Sequence, residues 1–356
     1  MSGGSAMTVR ALSVIPGQPE SAQVSDRPDP APPEGAILVD GLLVGVCGTD
    51  IEILRQGYGW APPGEERLVI GHESLGRVLE APQGSGFAVG DLLVGIVRRP
   101  DPEPCVPCSV GAWDFCRNGK YTERGIKERS GYAATRWRIE PDFAVKIDPR
   151  LGDSGVLLEP TSVVAKAWEQ AERIASRSPA PTRIALITGA GPIGLLAALL
   201  GLQRGYEVHV LDRVEEGPKP ALVRALGATF HSGDVANIGV RPDIVIECTG
   251  YGPLVFELTN VVANDAVICL AGISASTREV SIGLDRINKQ MVLENVVLFG
   301  TVNAARRHYE QAAQALATAD LDWLSQLVSR RVPMDRFNEA LERRDDDVKV
   351  AIDLRD

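Results

Sequence analysis

The sequence predicts an α/β protein of two domains, one mainly β and one built on a doubly wound parallel sheet. Two observations carry this. Between residues 184 and 300, β-branched runs alternate with helical segments. The first 150 residues are instead turn-rich, with short apolar runs between clusters of Pro and Gly. A chain of 356 residues, at about 150 per domain, accommodates both.

In chain order, turn clusters at 28–35, 57–64, 82–90 and 100–107 leave strand-length apolar runs at 36–46, 67–70 and 91–97. From Ser162 the character changes, with Val163, Ala167, Ala171 and Ile174 at helical spacing up to a linker at Ser178-Pro-Ala-Pro181. Strand-like runs follow at 184–188, 207–211, 243–248, 266–271 and 296–300, with a short one near Ala228. Segments 195–204, 219–226, 254–261 and 287–294 serve as crossover helices between them. The last fifty residues read as helices plus a closing strand at 348–354.

Composition narrows the function. The net charge of −10 argues against nucleic acid or an anionic membrane as partner, since both reward a basic surface. With 44% hydrophobic and 24% charged residues the chain is not disordered. Six Cys in this length are no disulfide scaffold and point to a reducing, cytoplasmic compartment. Residues 1–7 read as a flexible lead-in, not a signal peptide. The uncharged stretch 184–203 is long enough for a membrane span, but its four glycines and Pro192 favour strand, turn and buried helix.

The segment Gly189-Ala-Gly191-Pro192-Ile193-Gly194 follows a strand and opens a helix, and a second strand ends in Asp212. Gly189 permits the tight turn, Gly191 lets backbone approach a pyrophosphate, and Gly194 lets helix pack on strand. The helix N-terminus offers free N–H groups to the phosphates. Asp212 would accept hydrogen bonds from the adenosine ribose and repel a 2′-phosphate, which favours NAD. Arg213 beside it leaves NADP open. Thr249, Gly250 and Gly272 fall at carboxyl ends of later strands, where the cofactor would lie.

Cys47-Gly-Thr49-Asp50 and Gly71-His72-Glu73 bring together residue types that catalytic zinc accepts, usually three ligands with one position open. With Gly90-Asp91, Gly189–Gly194, Phe337-Asn-Glu-Ala340 and Val348-Lys-Val350, these motifs resemble the zinc-dependent medium-chain alcohol and polyol dehydrogenases. The likeness runs nearly end to end. Val97-Arg-Arg99, Tyr121-Thr-Glu123-Arg-Gly-Ile126, Leu158-Glu159-Pro160 and Gly300-Thr301-Val-Asn303 are most similar to the glucose (aldose) 1-dehydrogenases.

The resemblance implies a Rossmann doubly wound parallel sheet (176–302) inserted in a mainly β GroES-like catalytic domain (1–175 and 303–356). It implies catalytic zinc on Cys47, His72 and Glu73, with Glu159 as a nearby carboxylate; the two carboxylates need not ligate together. Thr49 would relay the proton of the reacting hydroxyl, and Glu52 stands where many relatives place a relay His. Glu123 and Asn303 would hold sugar hydroxyls, and Thr301 and Asn303 would also meet the cofactor. Cys105, Cys108 and Cys116 resemble a structural zinc lobe whose first Cys is replaced by Pro102. Asp101 would complete that tetrahedron, with Glu103 as the alternative. Cys248 and Cys269 read as ordinary buried thiols.

The implied reaction oxidises the anomeric hydroxyl of an aldose to a lactone, with hydride passing to NAD(P). A polyol, aminocyclitol or amino-alcohol substrate is the alternative, because Val97 and Leu293 are apolar where sugar contacts are expected. A non-catalytic redox sensor is the third reading. The family implies a homo-dimer or homo-tetramer, through a sheet edge near 266–271 and 296–300.

Overall fold

The computed structural model describes residues 8–32, 36–274, 278–342 and 344–355. The lead-in expected at residues 1–7 lies outside them. Contacts divide the chain into two compact units, residues 1–159 with 304–356, and residues 160–303.

The first unit is mainly β. Its largest sheet contains Ile37–Gly45, flanked by Glu73–Glu80 on one side and Lys349–Asp353 on the other, both antiparallel. The C-terminal segment thereby supplies strands to a sheet begun by the N-terminal one. Its core gathers Leu12, Val39, Leu93, Tyr132, Trp137 and Ile352. Each such aliphatic side chain contributes about 1.5–3 kcal/mol by leaving water. Val328–Pro333, expected among C-terminal helices, is a strand running parallel to Lys349–Asp353. Its Val328 and Val332 are buried while Ser329 and Arg331 are exposed, a two-residue alternation that helical periodicity obscures.

The second unit holds six parallel strands in the order Thr229–His231, Glu207–Leu211, Ile184–Thr188, Ile244–Glu247, Val267–Leu270, Val297–Gly300. The order reverses direction between Ile184–Thr188 and Ile244–Glu247, and ligands of such sheets bind beyond the strands' carboxyl ends at that point. The uncharged stretch resolves into strand, turn and the helix Pro192–Gln203, in which Gly194 to Gly201 are all buried. Pro192 opens this helix three residues earlier than expected, because proline suits the first turn, where its missing N–H is not required. Leu158–Ala175 is one helix, and from Pro160 it belongs with this unit. Trp168 explains why: its indole N–H donates to the Ala197 carbonyl at 3.0 Å. Among the described residues no helix is long and apolar enough to cross a membrane.

Candidate metal and cofactor sites

Two loops of the first unit converge on one point. Cys47 sits in extended backbone immediately before the helix Gly48–Gln56, and His72 immediately precedes strand Glu73–Glu80. Gly71 makes the approach with φ 89°, where a Cβ would press to 2.7 Å from Val44 Cγ1. Cys47 Sγ and His72 Nε2 lie 3.0 Å apart. Asp50 stands behind both: Oδ2 accepts the Cys47 N–H at 3.0 Å, and Oδ1 is 3.4 Å from His72 Nδ1. Such a carboxylate fixes the imidazole so that Nε2 faces the metal. Asp50 therefore holds both Cys47 and His72 in place, a role sequence reasoning did not assign although Asp50 closes the Cys-Gly-Thr-Asp motif.

Donor atoms of Cys47, Asp50 and His72 all fall within 4.8 Å of one another, and neither Glu73 nor Glu159 is in that group. The Glu73 carboxylate instead faces Lys349 Nζ, at 2.7 Å from Oε1 and 2.5 Å from Oε2. Glu159 is buried in the first turn of its helix. Burial and the Glu73 charge push its carboxyl up to about 7, against the pull of His72. Burial would lower His72, but the Cys47 and Asp50 charges raise it well above the usual imidazole range. Burial would likewise raise Asp50, yet neighbouring His72 leads the interactions that bring it below the usual carboxylate range. Thr49 and Glu52 are half-buried on the adjoining helix.

Three buried carboxylates and a half-buried thiol thus surround one buried imidazole and one fully buried lysine. Soft and hard donors gathered in this way fit a divalent zinc, which would take the place of the proton on His72. Cys47 and His72 would supply two ligands; Glu73, expected as the third, is engaged by Lys349, which makes Glu159, expected only nearby, the candidate for that place.

In the lobe, the sulfurs of Cys105, Cys108 and Cys116 gather within 4.8 Å. The Arg117 N–H, 3.3 Å from Cys105 Sγ, leads the contacts that draw that thiol down to about 7. Burial pushes Cys108 up to about 11. Asp101 is buried: Oδ1 accepts the Glu103 N–H at 2.8 Å, and Oδ2 has no hydrogen-bond partner. Three converging thiols fit a second zinc, while Asp101, expected as the fourth ligand, is not among the donors that lie within 4.8 Å of one another. Glu103 is turned to Lys120, 3.3 Å away.

Glu123 is buried on strand Thr122–Arg124, where Arg98 Nε and NH2 meet its Oε1 at 3.0 and 2.9 Å. Arg98 itself lies 3.8 Å over the Tyr121 ring. Arg98 is a second residue the sequence reading left without a role; it fixes the carboxylate expected to hold a sugar.

In the second unit Gly189 has φ 88°, and a Cβ on Gly194 would overlap the Gly189 carbonyl. Gly191 caps the helix without any side-chain hydrogen bond, and nothing would meet a Cβ there within 4 Å. That leaves the N–H groups and open space a pyrophosphate requires, so the residues fit a dinucleotide. Asp212 Oδ2 accepts the Ala190 N–H at 2.6 Å and Oδ1 that of Val214 at 3.0 Å; Arg213 is exposed. Thr249 and Gly250 are tied down by Glu247, a fully buried carboxylate that accepts their N–H groups at 2.7 and 3.1 Å. Gly272 packs against the same Glu247, 2.9 Å from Oε2 to a built Cβ. A charge at the end of the apolar run Ile244–Glu247 is the signal that would have singled it out. The Thr301 hydroxyl is buried without a partner, and Asn303 takes φ 60°. Cys248 and Cys269 are both raised by burial, as inert thiols are.

A mainly β unit holding a thiol–imidazole site, and a doubly wound unit with a glycine cradle, define a zinc-dependent medium-chain dehydrogenase. The family model for the alcohol dehydrogenase GroES-like domain matches residues 33–149. The model for the glucose dehydrogenase C-terminus matches residues 152–354, and the chain belongs to the glucose dehydrogenase family. Glucose 1-dehydrogenase of Methanocella arvoryzae is 36% identical over 97% of this chain and 99% of its own length. That of Thermoproteus tenax is 37% identical over 98% and 100%. Haloferax mediterranei glucose dehydrogenase, solved with NADP, zinc and gluconolactone, superposes with TM-score 0.87 and 30% identity, covering 97% and 99% of the two chains.

Proposed function

We propose that this protein oxidises the anomeric C1 hydroxyl of an aldose such as D-glucose to the lactone, with hydride transfer to NAD or NADP. The observation that carries it is the 3.0 Å Cys47–His72 pair among buried carboxylates, in a chain matching glucose dehydrogenases end to end. Zinc, when bound, supplies a Lewis acid that makes the hydroxyl acidic near neutral pH, and the nicotinamide ring accepts the hydride. Cys47, His72 and Glu159 would hold the metal, and Asp50 keeps the imidazole in register. Thr49 takes the hydrogen bond from the reacting hydroxyl and passes its proton on. Glu123, locked by Arg98, accepts from sugar hydroxyls, as does Asn303. The glycine turn and its helix take the pyrophosphate, with Thr249, Gly250, Gly272 and Thr301 along the remaining cofactor. Asp212 favours the free ribose of NAD; Arg213 is the residue a 2′-phosphate would meet.

The lobe of Cys105, Cys108, Cys116 and Asp101 would hold a structural zinc. A cytoplasmic homo-dimer or homo-tetramer is proposed, with Val297–Gly300, an edge strand of its sheet, as the contact.

The test is a panel of aldoses, inositols and threonine with NAD or NADP, on protein of measured zinc content. Lactone and reduced cofactor should form one for one from an aldose. Turnover confined to an inositol or threonine would overturn the substrate reading, and equal activity in a zinc-free Cys47→Ser protein would overturn the mechanism.

A further inference from the structure

The closing strand Lys349–Asp353 opens with a lysine that is only 2% exposed. An ammonium removed from water costs several kcal/mol unless it is paired and hydrogen-bonded. Lys349 meets both demands through Glu73, at 2.5 and 2.7 Å, and through the Val46 carbonyl at 3.1 Å.

Register explains the meeting. Gly45 lies opposite Glu73 on one side of its strand and opposite Ala351 on the other. A Cβ at Gly45 would overlap the Glu73 carboxylate. Glycine therefore opens the passage through which Glu73 and Lys349 reach each other across the intervening strand. The pairing turns Glu73 towards Lys349: although it adjoins His72 in sequence, it stands, as Glu159 does, outside the group whose donors lie within 4.8 Å of one another.

Catalytic zinc requires three protein ligands and one free position. Here two buried carboxylates, Glu73 and Glu159, flank a single thiol–imidazole pair. Were both to bind, the position a substrate hydroxyl needs would be filled. We propose that Lys349 is a positioning residue that holds Glu73 off the metal and so keeps that position open. This rests on the zinc reading above. A purely structural lysine predicts the opposite sign, since its removal would then loosen the site and with it the metal. On the proposal its removal frees a buried, unpaired carboxylate whose nearest compensating charge is the zinc.

The experiment compares wild-type, Lys349→Met, Lys349→Gln and Lys349→Arg proteins, isolated with metal. Zinc release to a chromophoric chelator and the visible spectrum of the cobalt-substituted protein are read alongside kcat and KM. In Lys349→Met, zinc should leave about tenfold more slowly and KM for the sugar should rise about tenfold, the size usual for residues behind metal ligands, because the sugar hydroxyl must now displace Glu73. Its cobalt absorption should shift as a carboxylate takes the fourth position in place of water, and Lys349→Arg should keep the wild-type spectrum. If Lys349→Met does not fold, Lys349→Gln carries the same test, retaining a donor for the Val46 carbonyl without the charge. Zinc release as fast as wild type or faster, with an unchanged cobalt spectrum, overturns the proposal and leaves the zinc reading standing. A wild-type protein that takes up no metal at Cys47 overturns both.

Discussion

The first unit contains two thiol sites built in opposite ways. The lobe draws all three thiols from Cys105 to Cys116, short turns of one segment whose surroundings are largely exposed. The Cys47 site draws its groups from two strands, two helices and the loop residues that lead into them, which meet only after the sheet has formed, and nearly every charge in it is buried. Local geometry is enough for a metal that only staples a loop. A metal that does chemistry needs its ligands oriented and one position kept free, and that takes supporting residues from distant parts of the chain.

The strongest way to break this comparison is to remove one thiol from each site. Cys47→Ser should lower kcat by about a thousandfold or more, the scale of losing the principal charge stabilisation in a transition state. Dinucleotide binding, followed by nicotinamide fluorescence, should survive. Asp50→Asn sharpens the point at one remove. It leaves every proposed ligand in place but weakens the hold on His72 and on the Cys47 N–H, so activity and zinc affinity should each fall about 10- to 100-fold. An Asp50→Asn protein with wild-type zinc affinity would show that Asp50 orients nothing.

How much was legible in the sequence follows the same division. The glycine turn at Gly189–Gly194 and the thiol lobe are contiguous, so their chemistry can be read from spacing alone. Cys47 and His72 were found as motifs, yet their 3.0 Å approach depends on strand register, which spacing does not supply. Lys349, Glu247 and Arg98 act through partners distant in sequence or through loop amides, and their sole local signal is a charge in or beside an apolar strand. Such a charge demands a partner, because an unpaired one costs too much to bury. Reading it as a question about partners, and not as an interruption of the strand, would have found all three. Val328–Pro333 escaped for a related reason: its pairing with the closing strand, which decides its structure, lies outside the segment.

The lobe gives a smaller effect. Cys108→Ser should lower bound metal from two to one per chain and reduce Tm by about 4–8 °C, taking roughly 2 kcal/mol of lost stapling at 2–4 °C each. Specific activity at 25 °C should stay within about twofold of wild type. A collapse of activity comparable to that of Cys47→Ser would erase the distinction between the two sites.

The smallest effect comes from a charge cluster that needs no metal. Glu140 bridges Arg99, at 2.9 Å, and Arg129. Burial alone would raise its carboxyl, but Arg99 and then Arg129 draw it down to about 2 from 4.5. A carboxylate depressed on folding stabilises the protein fully above the unfolded value near 4.5, and that contribution is lost as pH falls towards 2. With its side chain one-third exposed, at 33%, solvent screening leaves about 1–2 kcal/mol of the full shift. Glu140→Gln should therefore be less stable than wild type by that amount at pH 7, measured by urea unfolding, with the difference closing below pH 4. Because Glu140 finds its partners within the chain, the difference should be the same with zinc bound or removed. At the Cys47 site a metal would take the place of the proton on His72, so chelation there should change the pH dependence of unfolding itself. A zinc-dependent Glu140→Gln difference would mean the two clusters share one electrostatic balance.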